Sequence, residues 1–172
     1  MKPADHPDFY RFAPPPGTSR ESTIVLDREG RFTHDGDPID HAALEKGLRT
    51  WISRHPDDGR YILTNGYDWT YFKVEGTPFF VDALRIEPGV EPEGSVTLVL
   101  FDGTEERLDP STLSVDAEGV MQAIVKPARL PARFSRHAQT QLAPLLVSAE
   151  PPVLRLGGRE VAIPPTPSPL PS

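Results

Sequence analysis

The fold is decided by residues 60–74, RYILTNGYDWTYFKV, in which two runs of aromatic and aliphatic residues flank an Asn-Gly pair. Both runs have the length and composition of β-strands. Asn65-Gly66 is a favoured turn pair, because both residue types tolerate a positive φ. The stretch therefore predicts two strands, residues 60–64 and 69–74, joined by a turn short enough to make them antiparallel.

The residues before this stretch predict a hairpin and a helix. Residues 23–26 and 31–33 are short strand-like runs around a turn at residues 28–30. Residues 40–54 carry apolar side chains at helical spacing, and Asp40 is placed to cap the first turn. The apolar stripe consists of Leu44, Leu48, Trp51, Ile52 and His55.

The residues after it predict a series of strands closed by a helix. Strand-like segments occupy residues 79–86, 95–101, 105–108, 112–115 and 120–125, and a last hairpin joins residues 153–156 to 160–163. A helix over about residues 132–147 has its own apolar face, and Pro144 shortens its end. That face consists of Phe134, Ala138, Leu142, Leu145 and Leu146. We expect an α+β fold, β-rich and antiparallel, whose second half is a bent sheet or partial barrel closed by the helix.

Proline marks both ends of the chain. Residues 1–21 include Pro14-Pro15-Pro16-Gly17 and are expected to form a flexible arm. Residues 164–172, PPTPSPLPS, have few backbone donors and are expected to be a disordered, polyproline-like tail. Such a tail is also a candidate ligand for an SH3-like partner, which would make the protein an interaction scaffold.

Composition narrows the class of protein. The net charge is −7, from 25 acidic and 18 basic residues, so binding to bulk nucleic acid is not expected. No apolar run has the roughly 20 residues that span a membrane, and no secretory signal is recognisable. The chain has no cysteine, which excludes disulfides and cysteine-ligated zinc. We expect a cytoplasmic protein without a cofactor.

Residues 34–41, HDGDPIDH, are the densest group of potential metal ligands. His34 and His41 together with Asp35, Asp37 and Asp40 offer imidazole and carboxylate donors, which suggests a metal-assisted hydrolase as one candidate function. The spacing fits no EF-hand loop, and a turn followed by a helix cap explains the same residues. No nucleophile elbow, phosphate-binding loop or dinucleotide fingerprint occurs, so we expect a protein that is not an enzyme.

Two further groups are candidate ligand contacts. Arg133 and Arg136 are three residues apart on the predicted second helix, so they would share a face and hold a phosphate or carboxylate. The alternative is that both are solvated and pair with surface acids. Tyr67-Asp68-Trp69, after the Asn-Gly turn, either line a binding site or begin a strand.

Four motifs in order resemble the bacterial domain-of-unknown-function family 1285 (DUF1285). Residues 29–39, EGRFTHDGDPI, resemble its opening motif, followed by residues 59–63, GRYIL, residues 74–79, VEGTPF, and residues 132–136, ARFSR, with Leu142 further along. The resemblance covers about residues 23–147. Phe32 replaces the usual Trp, His41 replaces the usual Arg, and the segment at residues 65–69 keeps only the acid, Asp68.

The resemblance implies a two-part fold, with an α+β part at residues 22–77 and a β-rich part at 78–163 that is superficially like a pleckstrin-homology domain. It also implies a groove between the parts that holds a small, nucleotide-like ligand, and a role in signalling. We therefore expect a non-enzymatic binding module for a small anion. Its contacts would be His34, His41, Tyr61, Asp68, Arg133 and Arg136. If the histidines bind as imidazolium ions, affinity should weaken as pH rises through about 6.5.

Overall fold

The computed structural model describes residues 1–87 and 95–167. The chain divides into two compact units, Met1–Pro78 (unit 1) and Phe79–Ser172 (unit 2). Both are mostly antiparallel β-structure with short helices, which confirms the α+β class. Within the described residues, no helix combines the length and apolar character needed to cross a membrane.

Unit 1 contains seven strands and one α-helix: β1 Val25–Leu26, β2 Phe32–His34, β3 Asp37–Pro38, α1 Ala42–Thr50, β4 Ile52–Arg54, β5 Tyr61–Thr64, β6 Trp69–Tyr71 and β7 Lys73–Val74. One sheet has the order β3-β2-β1-β7 and the other β4-β5-β6. The hairpin of β1 and β2 and the antiparallel pair of β5 and β6 confirm two predictions. Leu26, Phe32 and Ile62 are among the most deeply buried side chains.

Two elements of unit 1 differ from the predictions. The helix ends at Thr50, and Ile52–Arg54 instead pairs as a strand with β5. The predicted strand over residues 69–74 is two strands in different sheets, because β7 leaves β6 at the buried Phe72 and runs parallel to β1. Of the Asn-Gly turn pair only Gly66 has a positive φ, of 88°.

The segment expected to be a flexible arm is packed against unit 1. Residues Met1–Phe12, here called the arm, contain two single turns of 3-10 helix, Pro3–Asp5 and Phe9–Arg11. Phe9 is 6% exposed and belongs to one apolar cluster with Ile62 and Trp69. The arm therefore contributes to the core of this unit.

Unit 2 contains nine strands and one α-helix among its described residues: β8 Phe79–Glu87, β9 Ser95–Leu100, β10 Glu105–Arg107, β11 Ser114–Val115, β12 Met121–Val125, β13 Leu130–Phe134, α2 Arg136–Leu142, β14 Leu146–Ala149, β15 Pro152–Leu156 and β16 Arg159–Ala162. The larger sheet has the order β10-β9-β8-β13-β12-β11, and the smaller one β14-β15-β16. The central pair, β13 with β8, is parallel, whereas the sequence predicted antiparallel pairing in this half of the chain. Its described strands form an open row; likeness to a pleckstrin-homology domain stays a prediction.

The predicted helix over residues 132–147 is wrong in its bounds. Leu130, Ala132 and Phe134 are buried while Pro131 and Arg133 are only half-buried, which is the period of two of a strand. Ser135 then caps α2 by accepting the Ala138 N–H. The helix lasts seven residues, and β14 begins at Leu146, after a 3-10 turn that contains Pro144.

Two glutamines of α2 continue the sheet where β13 stops. Gln141 accepts the Leu84 N–H at 2.7 Å and donates to the Leu84 carbonyl at 2.9 Å. Gln139 accepts the Met121 N–H at 3.0 Å and donates to the Gly119 carbonyl at 2.8 Å. Leu84 lies on β8, and Met121 begins β12, the two strands on either side of β13. The side-chain amides thus satisfy backbone groups that lie beyond the end of β13.

The beginning of the Pro-rich tail is ordered against β11. The Val115 N–H donates to the Pro164 carbonyl at 2.9 Å, and the Thr166 N–H donates to the Val115 carbonyl at 2.7 Å. Ser114 and Thr166 also join through their hydroxyls at 2.7 Å. The tail prediction is therefore wrong for residues 164–166, because Thr166 supplies the donor that the neighbouring prolines lack. Residues 168–172 lie outside the described residues.

Candidate functional site

His34 is exposed at the end of β2, beside the β2–β3 turn. Its side chain is 59% exposed, and its Nε2 lies 3.7 Å from the Asp35 carboxylate. Asp35 has a positive φ of 53° and accepts a hydrogen bond from the Thr23 hydroxyl at 2.5 Å. The turn is thus fixed by local contacts, and the imidazole of His34 projects into solvent.

His41, not Asp40, caps α1. Its Nδ1 accepts the Leu44 N–H at 3.1 Å, and its backbone is extended, as the residue before a helix requires. A ring nitrogen that accepts a hydrogen bond carries no proton, so the cap needs the neutral ring with its hydrogen on Nε2. Binding an anion as an imidazolium would therefore cost His41 its cap.

Asp35 and His41 are committed to local structure, the first by its hydrogen bond with Thr23 and the second by capping α1. Within the part of the chain that the structure describes, no group of three or more His, Asp or Glu side chains is arranged to hold a metal ion. This geometry gives no support to the metal-assisted hydrolase, because His34, Asp35, Asp37 and His41 were its expected ligands.

Tyr61 and Asp68 each face an arginine. The Arg54 guanidinium lies 4.7 Å from the centre of the Tyr61 ring, so one face of that ring is already covered. Asp68 accepts a hydrogen bond from Arg20 at 2.5 Å and another from the Trp69 N–H at 2.8 Å. Both residues therefore have a structural role in unit 1.

Arg133 and Arg136 do not share a helix face, because Arg133 lies in β13 and Arg136 begins α2. The Arg133 guanidinium is 3.3 Å from the Asp116 carboxylate and 2.9 Å from that of Glu118. Two acids thus neutralise it, which is the alternative the sequence left open. Arg136 is exposed, and within residues 1–87 and 95–167 it has no side-chain partner.

A denser polar cluster surrounds His55, which sequence patterns assigned only to the apolar stripe of a helix. His55 is 7% exposed; its Nδ1 accepts the Asp57 N–H at 3.1 Å, and its Nε2 donates to the Tyr10 carbonyl at 3.0 Å. The rings of Trp69 and Tyr71 lie 5.0 and 5.8 Å from the imidazole. The signal available in the sequence was the two-residue spacing of Ser53 and His55. Once the segment is recognised as a strand, that spacing places both side chains on the same face of the sheet.

The ionisable residues around this cluster shift one another's pKa values. Burial and the hydrogen bond to Asp58 raise the pKa of Tyr71. Burial alone would raise the pKa of Asp58, but hydrogen bonds from Tyr71 and the Arg60 N–H leave it below its ordinary value. Arg60 also stacks 3.7 Å from the centre of the Tyr71 ring and lowers the pKa of Glu21 through two hydrogen bonds. The network is self-contained, since each charge has a partner inside it.

Unit 2 has an ion pair of its own, in which the carboxylate is buried and the ammonium is partly exposed. The Lys126 ammonium is 3.0 Å from the Asp102 carboxylate and donates to the Thr104 hydroxyl at 2.6 Å. Burial would raise the pKa of Asp102, but hydrogen bonds from Thr104 and Lys126 outweigh it and hold that pKa below its usual range. Lys126 has a positive φ of 64°, and its N–H is held by the Glu106 carboxylate. The pair thus joins the β12–β13 turn to the β9–β10 hairpin.

Comparison with known sequences finds limited similarity. No protein-family model matches the chain. UPF0182 proteins from two Prochlorococcus marinus strains, MIT 9303 and MIT 9313, are each 29% identical over 119 residues, or 68% of this chain. The match covers only 10% of each of these proteins, so this chain spans about a tenth of their length.

Solved structures show the fold. The crystal structure of a DUF1285 family protein from Silicibacter pomeroyi DSS-3 has a TM-score of 0.68 and 18% identity, covering 90% of this chain and 85% of that one. A DUF1285 family protein from Shewanella baltica OS155 has a TM-score of 0.56 and 15% identity, covering 73% of this chain and 94% of that one. The chain therefore has the fold of DUF1285 family proteins, whose sequence motifs it also resembles.

Proposed function

We propose that this chain is a non-enzymatic module that binds a small anion, with phosphate-bearing, nucleotide-like compounds as the leading class. The observation that carries the proposal is the state of Arg136. It is an exposed guanidinium that has no carboxylate partner within residues 1–87 and 95–167, whereas the other predicted arginine is neutralised by Asp116 and Glu118. A guanidinium offers five N–H donors in a plane that matches phosphate and carboxylate oxygens.

The surroundings of Arg136 support this role. The Ser135 hydroxyl donates to the Asp82 carbonyl at 2.7 Å, and the two glutamines tie α2 to its sheet, so the helix that carries Arg136 has little freedom to move. His137, the next residue, is also exposed. A fixed backbone under a free cation reduces the entropy lost on binding an anion.

The histidines favour binding over catalysis. His41 and His55 each use Nδ1 to accept a backbone N–H, so neither can take a proton from a substrate at that atom without losing a structural contact. His34 is free of this constraint and is a separate candidate for contacting an anion. It belongs to unit 1, so it is tested independently of Arg136.

Titration calorimetry tests the proposal with inorganic phosphate, pyrophosphate and nucleoside mono-, di- and triphosphates. We expect Arg136→Ala to weaken binding about tenfold or more, the usual value of a charge-assisted hydrogen bond. Arg159→Ala is the matched control, because Arg159 is an exposed arginine in the same unit, and its affinity should equal that of the wild type. No binding at millimolar ligand, or equal effects of the two variants, contradicts the proposal.

The same titrations repeated between about pH 5.5 and 8 test His34. If its imidazolium contacts the anion, the wild type binds more weakly as pH rises and His34→Ala removes most of that dependence. A pH dependence that is identical in the two proteins shows that His34 does not contact the anion. The signalling role rests on the family resemblance alone. Binding of a small anion by Arg136 would give that role a molecular basis.

A further inference from the structure

The arm is attached to unit 1 by a few separate contacts. Its apolar anchor is Phe9, which packs with Ile62 and Trp69 and is almost completely buried. Near its beginning, the Ala4 N–H donates to the Gly66 carbonyl at 3.0 Å. The arm thus lies on the face of the β4-β5-β6 sheet that carries the aromatic side chains.

Polar contacts then fix its register. Arg11 donates from Nε and Nη2 to the two carboxylate oxygens of Asp57, at 3.0 and 2.8 Å. His55 donates to the Tyr10 carbonyl at 3.0 Å. The receiving groups are a carboxylate, an imidazole, a carbonyl and an apolar patch, and none of them requires that the arm come from the same molecule.

The connection between the arm and the rest of unit 1 is a tight turn in a stretch that favours extension. Pro14, Pro15 and Pro16 each have φ restricted near the polyproline value, which makes the run prefer an extended form. The chain nevertheless turns there, with the Thr18 N–H and hydroxyl both donating to the Pro15 carbonyl, at 3.1 and 2.6 Å. Gly17 makes the turn possible with a φ of 80°.

We propose that a second copy of this chain donates its arm to this face, forming an arm-exchanged dimer. All the contacts of the arm are the same in the closed monomer and in the exchanged dimer. The two forms differ at the turn Pro15–Thr18, here called the hinge: the monomer needs this turn, whereas the dimer allows the prolines to extend. The arm of a second copy is identical in chemistry to the chain's own arm, so the protein concentration decides whether monomer or dimer dominates.

A charge-reversal pair tests the exchange. Arg11→Glu and Asp57→Arg each place like charges at the arm contact, whether the arm is a protein's own or that of an identical copy. When the two variants are mixed, exchange gives an acid opposite a base at both contacts. We expect native mass spectrometry and light scattering to show much more dimer in the mixture than in either variant alone, and to identify that dimer as the heterodimer. The double variant is the matched control and should behave as the wild type does.

The hinge gives an independent test. A Cβ at Gly17 would meet no atom within 4 Å, so Gly17→Ala acts on the backbone conformation alone. A side chain at positive φ disfavours the closed turn by about fivefold or more in each protomer, so the dimer constant should rise by at least that factor. The proposal is overturned if the charge-reversal mixture stays monomeric, if its dimer persists when residues 1–12 are deleted, or if Gly17→Ala leaves the dimer constant unchanged.

Discussion

Replacing Gln141 by alanine should destabilise unit 2 far more than its partly exposed position suggests. Its amide accepts the Leu84 N–H and donates to the Leu84 carbonyl, where β13 no longer runs beside β8. Leu84 is 3% exposed, so its backbone groups are not readily solvated. The variant leaves one buried donor and one buried acceptor without a partner.

The size of the effect follows from these two groups. Each buried polar group left unpaired costs about 1–3 kcal/mol, and water reaching the vacated side of a half-buried glutamine recovers part of that cost. We therefore expect a loss of about 2–4 kcal/mol in the free energy of unfolding. For a chain of this size the corresponding fall in melting temperature is about 10 °C.

Urea unfolding and thermal melting followed by circular dichroism measure the loss. Thr140→Ala is the matched control, because Thr140 is the neighbouring helix residue, is exposed, and donates its hydroxyl hydrogen to the Arg136 carbonyl one turn earlier. We expect the control to change stability by less than about 0.5 kcal/mol. If Gln141→Ala is as mild as Thr140→Ala, the idea that glutamine amides complete the sheet is incorrect.

Two other predictions concern Asp102 and His41. Because the folded-state pKa of Asp102 is depressed, the stability it supplies is present above about pH 4, the unfolded value, and is lost as pH falls through the folded pKa. Asp102→Asn should therefore be less stable than the wild type at pH 7, and the difference in the free energy of unfolding should shrink in acid. Urea unfolding at several pH values measures this difference. A difference that does not depend on pH would refute the prediction. His41→Ala should cost about 1 kcal/mol because the Leu44 N–H loses its cap, and His41→Asn should restore most of it in thermal melts; equal losses in both variants would mean that the cap is unimportant.

The sequence predicted elements whose signal is local. The strands at Tyr61–Thr64 and Trp69–Tyr71 followed from residue type and an adjoining turn pair. The break at Phe72 did not, because it depends on β7 finding a partner in β1, nearly fifty residues away. The helix over residues 132–147 failed for a related reason. Helical spacing from Phe134 onward coexists with alternation before it, and only pairing with β8 and β12 decides in favour of the strand.

The candidate site was predictable in residue type but not in role. His34 and Arg136 were identified and are exposed, as a ligand contact requires. Arg133 and His41 were identified too, but the first pairs with acids and the second caps a helix, and neither partner can be deduced from spacing. The His55 cluster was missed because the chain around it was assigned to a helix, which hid the face it shares with Trp69.

The short contact between the tail and β11 has a practical consequence for anyone shortening this protein. Truncation after Ile163, where the proline-rich segment begins, would remove Pro164 and Thr166. The Val115 N–H and carbonyl would then lose these partners at the edge of the six-stranded sheet. An unpaired edge strand of this kind can pair with strands of other molecules and so promotes aggregation. The proline-rich segment thus acts as a protective border that an expression design should retain.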